Sequence, residues 1–214
     1  MKLIEPSATI DEAPDYVRTL LKVERYARKA YKSEMMGGTP ETAAAIIRRC
    51  IDSQHESVIE HATVSVDFTV DRGVSHELVR HRIASFTQES TRYCNYSKGK
   101  FGSEITVIRP CFWKQNGALY ARWESAMLDA ERAYLALLDF GASPQEARSV
   151  LPNSLKTELV MTTNIREWRH VFKLRCDKTA HPQMREVMRP LLSQFKAAMP
   201  VFFQDINFPL TWSE

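Results

Sequence analysis

From Ala62 to Val70 the chain alternates: Ala62, Val64, Val66, Phe68 and Val70 are apolar, and Thr63, Ser65, Asp67 and Thr69 between them are polar. Successive side chains of a strand point to opposite faces, so this pattern predicts a half-buried β-strand. Leu155, Thr157, Leu159, Met161 and Thr163 form the face of a second strand, and Glu104 to Arg109 reads as a third. Helical signals dominate elsewhere. Residues 10 to 32 read as a helix rich in Arg and Lys, before Gly37-Gly38 breaks the pattern. Thr39-Pro40 then supplies an N-cap and a first-turn proline for a helix running to about Ser53, with Ile46, Ile47, Cys50 and Ile51 as its buried stripe. Asp71-Arg72-Gly73 reads as a turn, with Ser75 capping a short helix that reaches Arg80-His81-Arg82. A polar segment follows to about Gly102. A long helix from Gly117 to Phe140 closes at Gly141. Ser143-Pro144-Gln145-Glu146 is a capping box, opening a short helix that carries Arg148. Asn164 to Glu167 starts another helix, ending near Cys176, and a last one covers roughly Pro182 to Met199. Helices mixed with hairpin-like strands, without regular βαβ alternation, predict an α+β fold. Its antiparallel sheet has several flanking helices, in one continuous domain over residues 1–214 with no Rossmann fold.

Glycine is scarce, with seven in 214 residues, and neither GxGxxG nor GxxxxGKS/T occurs. A bound nucleotide must therefore be held without the common glycine-rich phosphate loops. Net charge is +3, too small to hold a long polyanion by charge alone but enough to favour a phosphorylated small ligand. The longest apolar run, Ala133 to Leu138, falls well short of the roughly 20 residues of a membrane span. Glu5 interrupts the start after two apolar residues, so no signal-peptide core is present. Cys50, Cys94, Cys111 and Cys176 are widely spaced without a CxxC pair, the pattern of reduced thiols in a cytoplasmic protein.

Two clusters could carry chemistry. His55, His61, His76 and His81 crowd one stretch, but a zincin needs HExxH on a helix. HESVI has Ile59 and HELVR has Arg80 at the second ligand position, and Ser57 breaks the inverted motif, so no metal site is expected. The second cluster is RHRIASFTQESTR, Arg80 to Arg92, with three arginines, a histidine and two serines. It reads either as a surface loop or as a phosphate cradle. Guanidinium forks bind phosphate oxygens in pairs, and hydroxyls and loop amides complete such a site.

Arg80, His81, Arg82, Ser85, Ser90 and Arg92 match every fixed position of Arg-His-Arg-x-x-Ser-x-x-x-x-Ser-x-Arg, the signature of flavin-dependent thymidylate synthases. The chain resembles that family beyond the motif. His55-Glu56-Ser57-Val58-Ile59-Glu60-His61 is similar to its H-x-S/T-x-x-E-H stretch. Asn164-Ile165-Arg166-Glu167-Trp168 with Arg175 is similar to its C-terminal helix, and Glu146-Ala147-Arg148 before Leu151-Pro152 also fits. The resemblance covers roughly residues 20 to 190. Ala30 departs from it, standing where many members carry Ser or Cys, and Glu77 stands where some have Gln.

The resemblance implies conversion of dUMP to dTMP. The methylene comes from 5,10-methylenetetrahydrofolate and the hydride from NADPH by way of FAD. It also implies a homotetramer whose sites are shared between subunits, and no nucleic-acid or membrane partner. Carried over by position, the FAD contacts are Ser57, Arg80, His81, Arg82, Gln88, Asn164, Arg166 and His170, with His55 and Glu60 as neighbours. The dUMP contacts are Glu77, Leu78, Val79 and Arg80, then Gln88, Glu89, Ser90, Thr91 and Arg92, with Arg148 and Arg175. Arg175 is the catalytic candidate: a fixed cation against the uracil stabilises charge on the ring and raises the nucleophilicity of C5.

Ser90 is read as a hydrogen-bonding group and not a nucleophile, because its motif neighbours are arginines, which cannot accept its proton. His81 reads equally as a base or as a flavin-contacting group. The competing class is a nucleic-acid module using the RHR segment with Lys98 and Lys100. Glu77 and Glu89 interrupt the basic stripe that such a module needs.

Overall fold

The computed structural model describes residues 1–12, 14–99 and 102–208. Lys100, part of the basic patch considered above, lies outside them. In chain order the elements are β1 (Lys2–Ile4), β2 (Ser7–Ile10), α1 (Tyr16–Ala30), α2 (Pro40–Asp52), a 3-10 turn (Glu56–His61), β3 (Thr63–Asp71), α3 (Arg72–Leu78), β4 (Ser85–Gln88) and β5 (Thr106–Ile108). There follow α4 (Ala118–Asp139), α5 (Pro144–Ala147), a 3-10 turn (Arg148–Val150), β6 (Lys156–Asn164), α6 (Ile165–Arg175), α7 (Pro182–Ala198) and α8 (Pro200–Phe203).

A four-stranded sheet runs in the order β2-β3-β6-β4. Its two central strands are antiparallel. The hydroxyls of Ser65 and Thr162 meet at 2.7 Å, while just past the end of β3 the Arg72 amide donates to the Leu155 carbonyl at 3.1 Å. The α+β architecture expected from the alternation is thus observed. A separate parallel pair, β1 with β5, aligns Leu3 with Val107.

The chain groups into two compact units, each assembled from separate segments. One comprises Met1–Ser7, Phe68–Arg80 and Phe86–Val160, the other Ala8–Asp67, His81–Ser85 and the chain from Met161 onward. In the first, Tyr96, Ile105, Val107, Met127, Tyr134 and Leu155 form a buried cluster with α4 contributing its apolar stripe. The N-terminal amine donates to Glu131 at 3.0 Å, and the same carboxylate accepts from the Ile105 amide at 2.8 Å. In the second, Trp168, Phe172, Phe195 and Phe203 pack ring against ring at 5.0–5.8 Å between centroids. The Trp168 indole N–H donates to the Val64 carbonyl at 3.0 Å, which satisfies a polar group that would be costly to bury alone.

Three sequence expectations need correction. The first helix begins at Tyr16 and not near residue 10, because Ser7–Ile10 joins the sheet and Asp15 caps the helix. The helix after β3 starts at Arg72, where a turn was expected. Asp71 is its N-cap, accepting from the Val74 amide at 2.8 Å, and Ser75 lies inside it. The helix ends at Leu78, so Arg80, His81 and Arg82 lie beyond it. Ser85–Gln88, expected as loop, is the edge strand β4.

Candidate functional site

β6 hands the chain to α6 through Asn164, whose side-chain oxygen caps the helix by accepting from the Glu167 amide at 2.9 Å. That cap and the Thr163 hydroxyl, which donates to the Ile83 carbonyl, hold the start of α6 beside the segment following Arg80. At the centre is His81, a buried side chain. Arg175 Nε donates to His81 Nε2 at 3.0 Å. Arginine has no acceptor, so Nε2 is bare and the ring proton sits on Nδ1, which faces Glu167 Oε1 at 3.3 Å. The His170 ring stands edge-on at 5.8 Å.

Burial, reinforced by the charges of Arg175 and His170, lowers the His81 pKa from 6.5 to about 4. The imidazole is therefore neutral at pH 7, and its contact with Glu167 is a hydrogen bond and not an ion pair. Burial also raises the Glu167 carboxyl above its ordinary value, against the opposing pull of His170.

A cavity of about 540 Å³ opens here, lined by Glu56, Glu60, Asn164, Arg166, His170 and Lys173, with Ile83 and Glu167. Arg166 pairs with Glu60, and Arg169, one turn inward, holds Glu56 at 3.1 Å. Of the positions tied by resemblance to FAD, Asn164, Arg166 and His170 line this cavity. His81 adjoins it through Glu167 and His170. Ser57 is exposed on the 3-10 turn that also carries Glu56 and Glu60, and Arg82 is exposed. Arg80 and Gln88 belong to the first unit.

That unit has its own cavity, of about 490 Å³, lined by Arg72, His76, Thr91, Arg148, Leu151 and Asn153 among others. Arg148 Nη1 donates to the Thr91 hydroxyl at 3.4 Å. Arg72 Nη1 is buried without a hydrogen-bond partner, a donor set for an anion. The rest of the motif is largely engaged internally. The Gln88 amide donates to the Ser75 and Thr157 hydroxyls at 3.0 and 3.1 Å. Glu89 accepts from Tyr96 at 3.0 Å and Lys156 at 2.9 Å. Ser90 Oγ accepts from the Arg92 amide at 3.3 Å, and no basic group among the described residues is bonded to it. Glu77 is half-buried, Leu78 wholly buried, and Val79, Arg80 and Arg92 are exposed. Leu78 can therefore offer a ligand only its backbone.

Sequence reading gave no site role to Arg72, Glu167 or Lys173, and took His76 only as a member of the histidine cluster. Arg72 and His76 are four apart, a spacing that puts them on one face of a helix, and recognising α3 would have exposed them. His81, Glu167 and His170 bring three ligating atoms within 4.8 Å, a grouping that local HExxH spacing cannot reveal. Arg175 against His81 opposes a dication there, and Glu167 already occupies the Nδ1 side. Cys50 and Cys176 are poor nucleophiles. Cys176 is buried, which pushes its thiol up to about 12, and burial raises Cys50 as well.

The fold is α+β, with one cleft that sets Arg166 and Lys173 among three glutamates and another that gathers Arg72, His76 and Arg148. Comparison with known proteins narrows that class. The model of the family described as thymidylate synthase complementing protein matches residues 14–201. A flavin-dependent thymidylate synthase of Geobacter sulfurreducens is 35% identical over 162 residues, covering 75% of this chain and 68% of the relative. One of Pyrococcus abyssi is 36% identical, covering 70% and 61%, and one of Mycobacterium sp. (strain KMS) is 33% identical, covering 88% and 80%. The chain thus spans about six-tenths to two-thirds of the length of the first two relatives. A UMP/dUMP methylase, PolB of Streptomyces cacaoi, solved with 5-Br dUMP bound, shares the fold with a TM-score of 0.77. At 22% identity it covers 95% of this chain and 96% of its own. The chain belongs to the flavin-dependent thymidylate synthase family.

Proposed function

We propose that this protein converts dUMP to dTMP by reductive methylation, with 5,10-methylenetetrahydrofolate as carbon donor and NADPH as hydride source through FAD. The observation that carries this reading is the Arg175–His81 hydrogen bond, which joins the arginine-rich motif to the C-terminal helix in a chain of this family.

The donors around the second unit's cavity fit an anionic dinucleotide: Arg166 and Lys173 are cations, and Asn164 opens α6, where backbone N–H groups and the helix dipole favour negative charge. This chemistry serves a protein without a glycine-rich phosphate loop. Ser57, Arg80, His81, Arg82, Gln88, Asn164, Arg166 and His170 would hold FAD, which when bound supplies two-electron hydride transfer. The first unit's cavity fits a nucleoside monophosphate. Arg148 lines it beside Thr91 and the unsatisfied donor of Arg72, and Arg92 and Ser90 of the same motif would join them at the phosphate. Glu77 to Arg80, Gln88 and Glu89 complete this set. By the family resemblance, Arg175 would supply a fixed positive charge to the pyrimidine, favouring the electron-rich form that attacks the methylene carbon.

The same reading makes residues 1–214 one functional domain, assembled as a homotetramer with shared sites in the cytoplasm. Among the described residues no helix is long and apolar enough to cross a membrane. The test is direct. Purified protein should take up FAD, lose the oxidised-flavin absorbance when NADPH is added anaerobically, and form dTMP from dUMP and the folate. Folded protein that binds no flavin would overturn the proposal.

A further inference from the structure

We infer that Glu167 is a positioning residue: by accepting the Nδ1 proton of His81 it fixes the ring tautomer whose bare Nε2 holds Arg175 in place. The consequence for turnover rests on the role proposed for Arg175, but the hydrogen-bond relay itself does not.

The relay is assembled by α6 together with the segment after Arg80. Glu167 and Arg175 are two turns apart on that helix, and His81 lies between their polar ends. Neutral imidazole has one donor and one acceptor, so the two ring nitrogens cannot be chosen independently. In the Nε2–H tautomer, the Arg175 N–H would face another N–H, and two donors would oppose each other in a buried place. A carboxylate at Nδ1 removes that alternative because it can only accept while ionised. Charged imidazole would likewise meet the Arg175 guanidinium with a like charge. Glu167 thus selects one of three ring states, and that state alone lets Arg175 donate through Nε to the ring. The Asn164 cap on the Glu167 amide sets the first turn from which the carboxylate projects.

The test is long-range ¹H–¹⁵N NMR on the full chain labelled in histidine. At pH 7 His81 should show a protonated Nδ1 and a bare Nε2. Glu167→Ala should lose that preference and populate Nε2–H. Glu167→Gln should restore it, because the amide oxygen can accept the same proton. A wild-type ring found as Nε2–H or as imidazolium, or an unchanged tautomer in folded Glu167→Ala, would overturn the inference. In dTMP formation Glu167→Ala should lower turnover about 2- to 12-fold, the worth of one hydrogen bond, with Gln recovering most of the loss. The expected tautomers in a chain that makes no dTMP would uphold the relay and refute the functional reading instead.

Discussion

Arg169 and Asp205 meet fork to fork, with Nη1 and Nη2 of the guanidinium each donating to a carboxylate oxygen at 2.7 Å. The Arg169 side chain is 2% exposed, and it also binds Glu56 at 3.1 Å and the Phe202 carbonyl. It thereby ties the chain following α8 to α6 and to the turn bearing Glu56. Removing a buried charge's partner is costly because the remaining charge stays desolvated. Arg169→Ala should destabilise the protein by about 3–5 kcal/mol in urea unfolding, since it strands two carboxylates and a carbonyl. Asp205 is 45% exposed, so Asp205→Ala should cost less, about 1–2 kcal/mol after solvent screening.

Acid should attack the same pair. Burial pushes the Asp205 carboxyl up, but hydrogen bonding and charge from Arg169 prevail and hold it below its ordinary value of 3.8. A carboxylate with a depressed folded pKa contributes stability that is present above the unfolded value and disappears as pH falls through the folded one. Urea midpoints measured downward from pH 4 should therefore fall more steeply in wild type than in Asp205→Asn. Parallel curves would remove Asp205 from the acid response.

Much of this architecture is legible in residue order because its signals are local. Thr39-Pro40 and Asn164 announce helices found at Pro40–Asp52 and Ile165–Arg175, and the alternation from Ala62 announces β3. β2 and β4 have only four residues each and sit at the sheet edges, where solvent on one side leaves little apolar contrast to read. The site divides in the same way. Thirteen consecutive residues carry the family motif, whereas Glu167 reaches His81 across 86 residues because β6 leads into α6. The unsatisfied Arg72 nitrogen is a fact of packing, invisible until α3 is placed.

His81 should leave a pH signature in stability. Its folded pKa of about 4 lies below the ordinary 6.5, so the unfolded chain binds more protons between these values. Stability is then lost as pH falls from 6.5 toward 4, by about 2–4 kcal/mol if the whole shift is realised. Glu167 works in the opposite direction, since its raised carboxyl takes up a proton more readily in the folded protein. His81→Asn should flatten the wild-type slope across this window. An unchanged slope would show that the imidazole titrates like an exposed one.

Arg166 gives a separate handle on cofactor binding. Its exposed guanidinium lines the cavity of about 540 Å³ beside α6 and does not belong to the His81 relay. Arg166→Ala should weaken FAD binding by about 10- to 150-fold, the usual range for a hydrogen bond to a charged group. Flavin absorbance titration reads this directly, and an unaltered affinity would move the cofactor elsewhere. Added salt should weaken wild-type binding more than that of the variant, because screening acts on the charge the variant lacks.

The final prediction sets Ser90 against Arg175. Ser90 Oγ accepts from the Arg92 amide, and among the described residues no base is bonded to it that could take its proton. Ser90→Ala should therefore cost one hydrogen bond, about 0.5–1.5 kcal/mol, or a 2- to 12-fold loss in rate or affinity. Removal of a covalent nucleophile would instead approach a millionfold fall. Arg175 is held by His81 in a site partly closed to water, where a fixed charge acts most strongly on a polarised ring. Arg175→Ala should cost about 3–4 kcal/mol in the chemical step, comparable to losing an oxyanion-hole donor. Arg175→Lys should recover only part of this, because an ammonium cannot keep one donor on His81 Nε2 and present a planar fork as well. Flavin reduction by NADPH alone should survive both substitutions. Measured at saturating dUMP and FAD, an inactive serine variant beside an active arginine variant would reverse the assignment of roles.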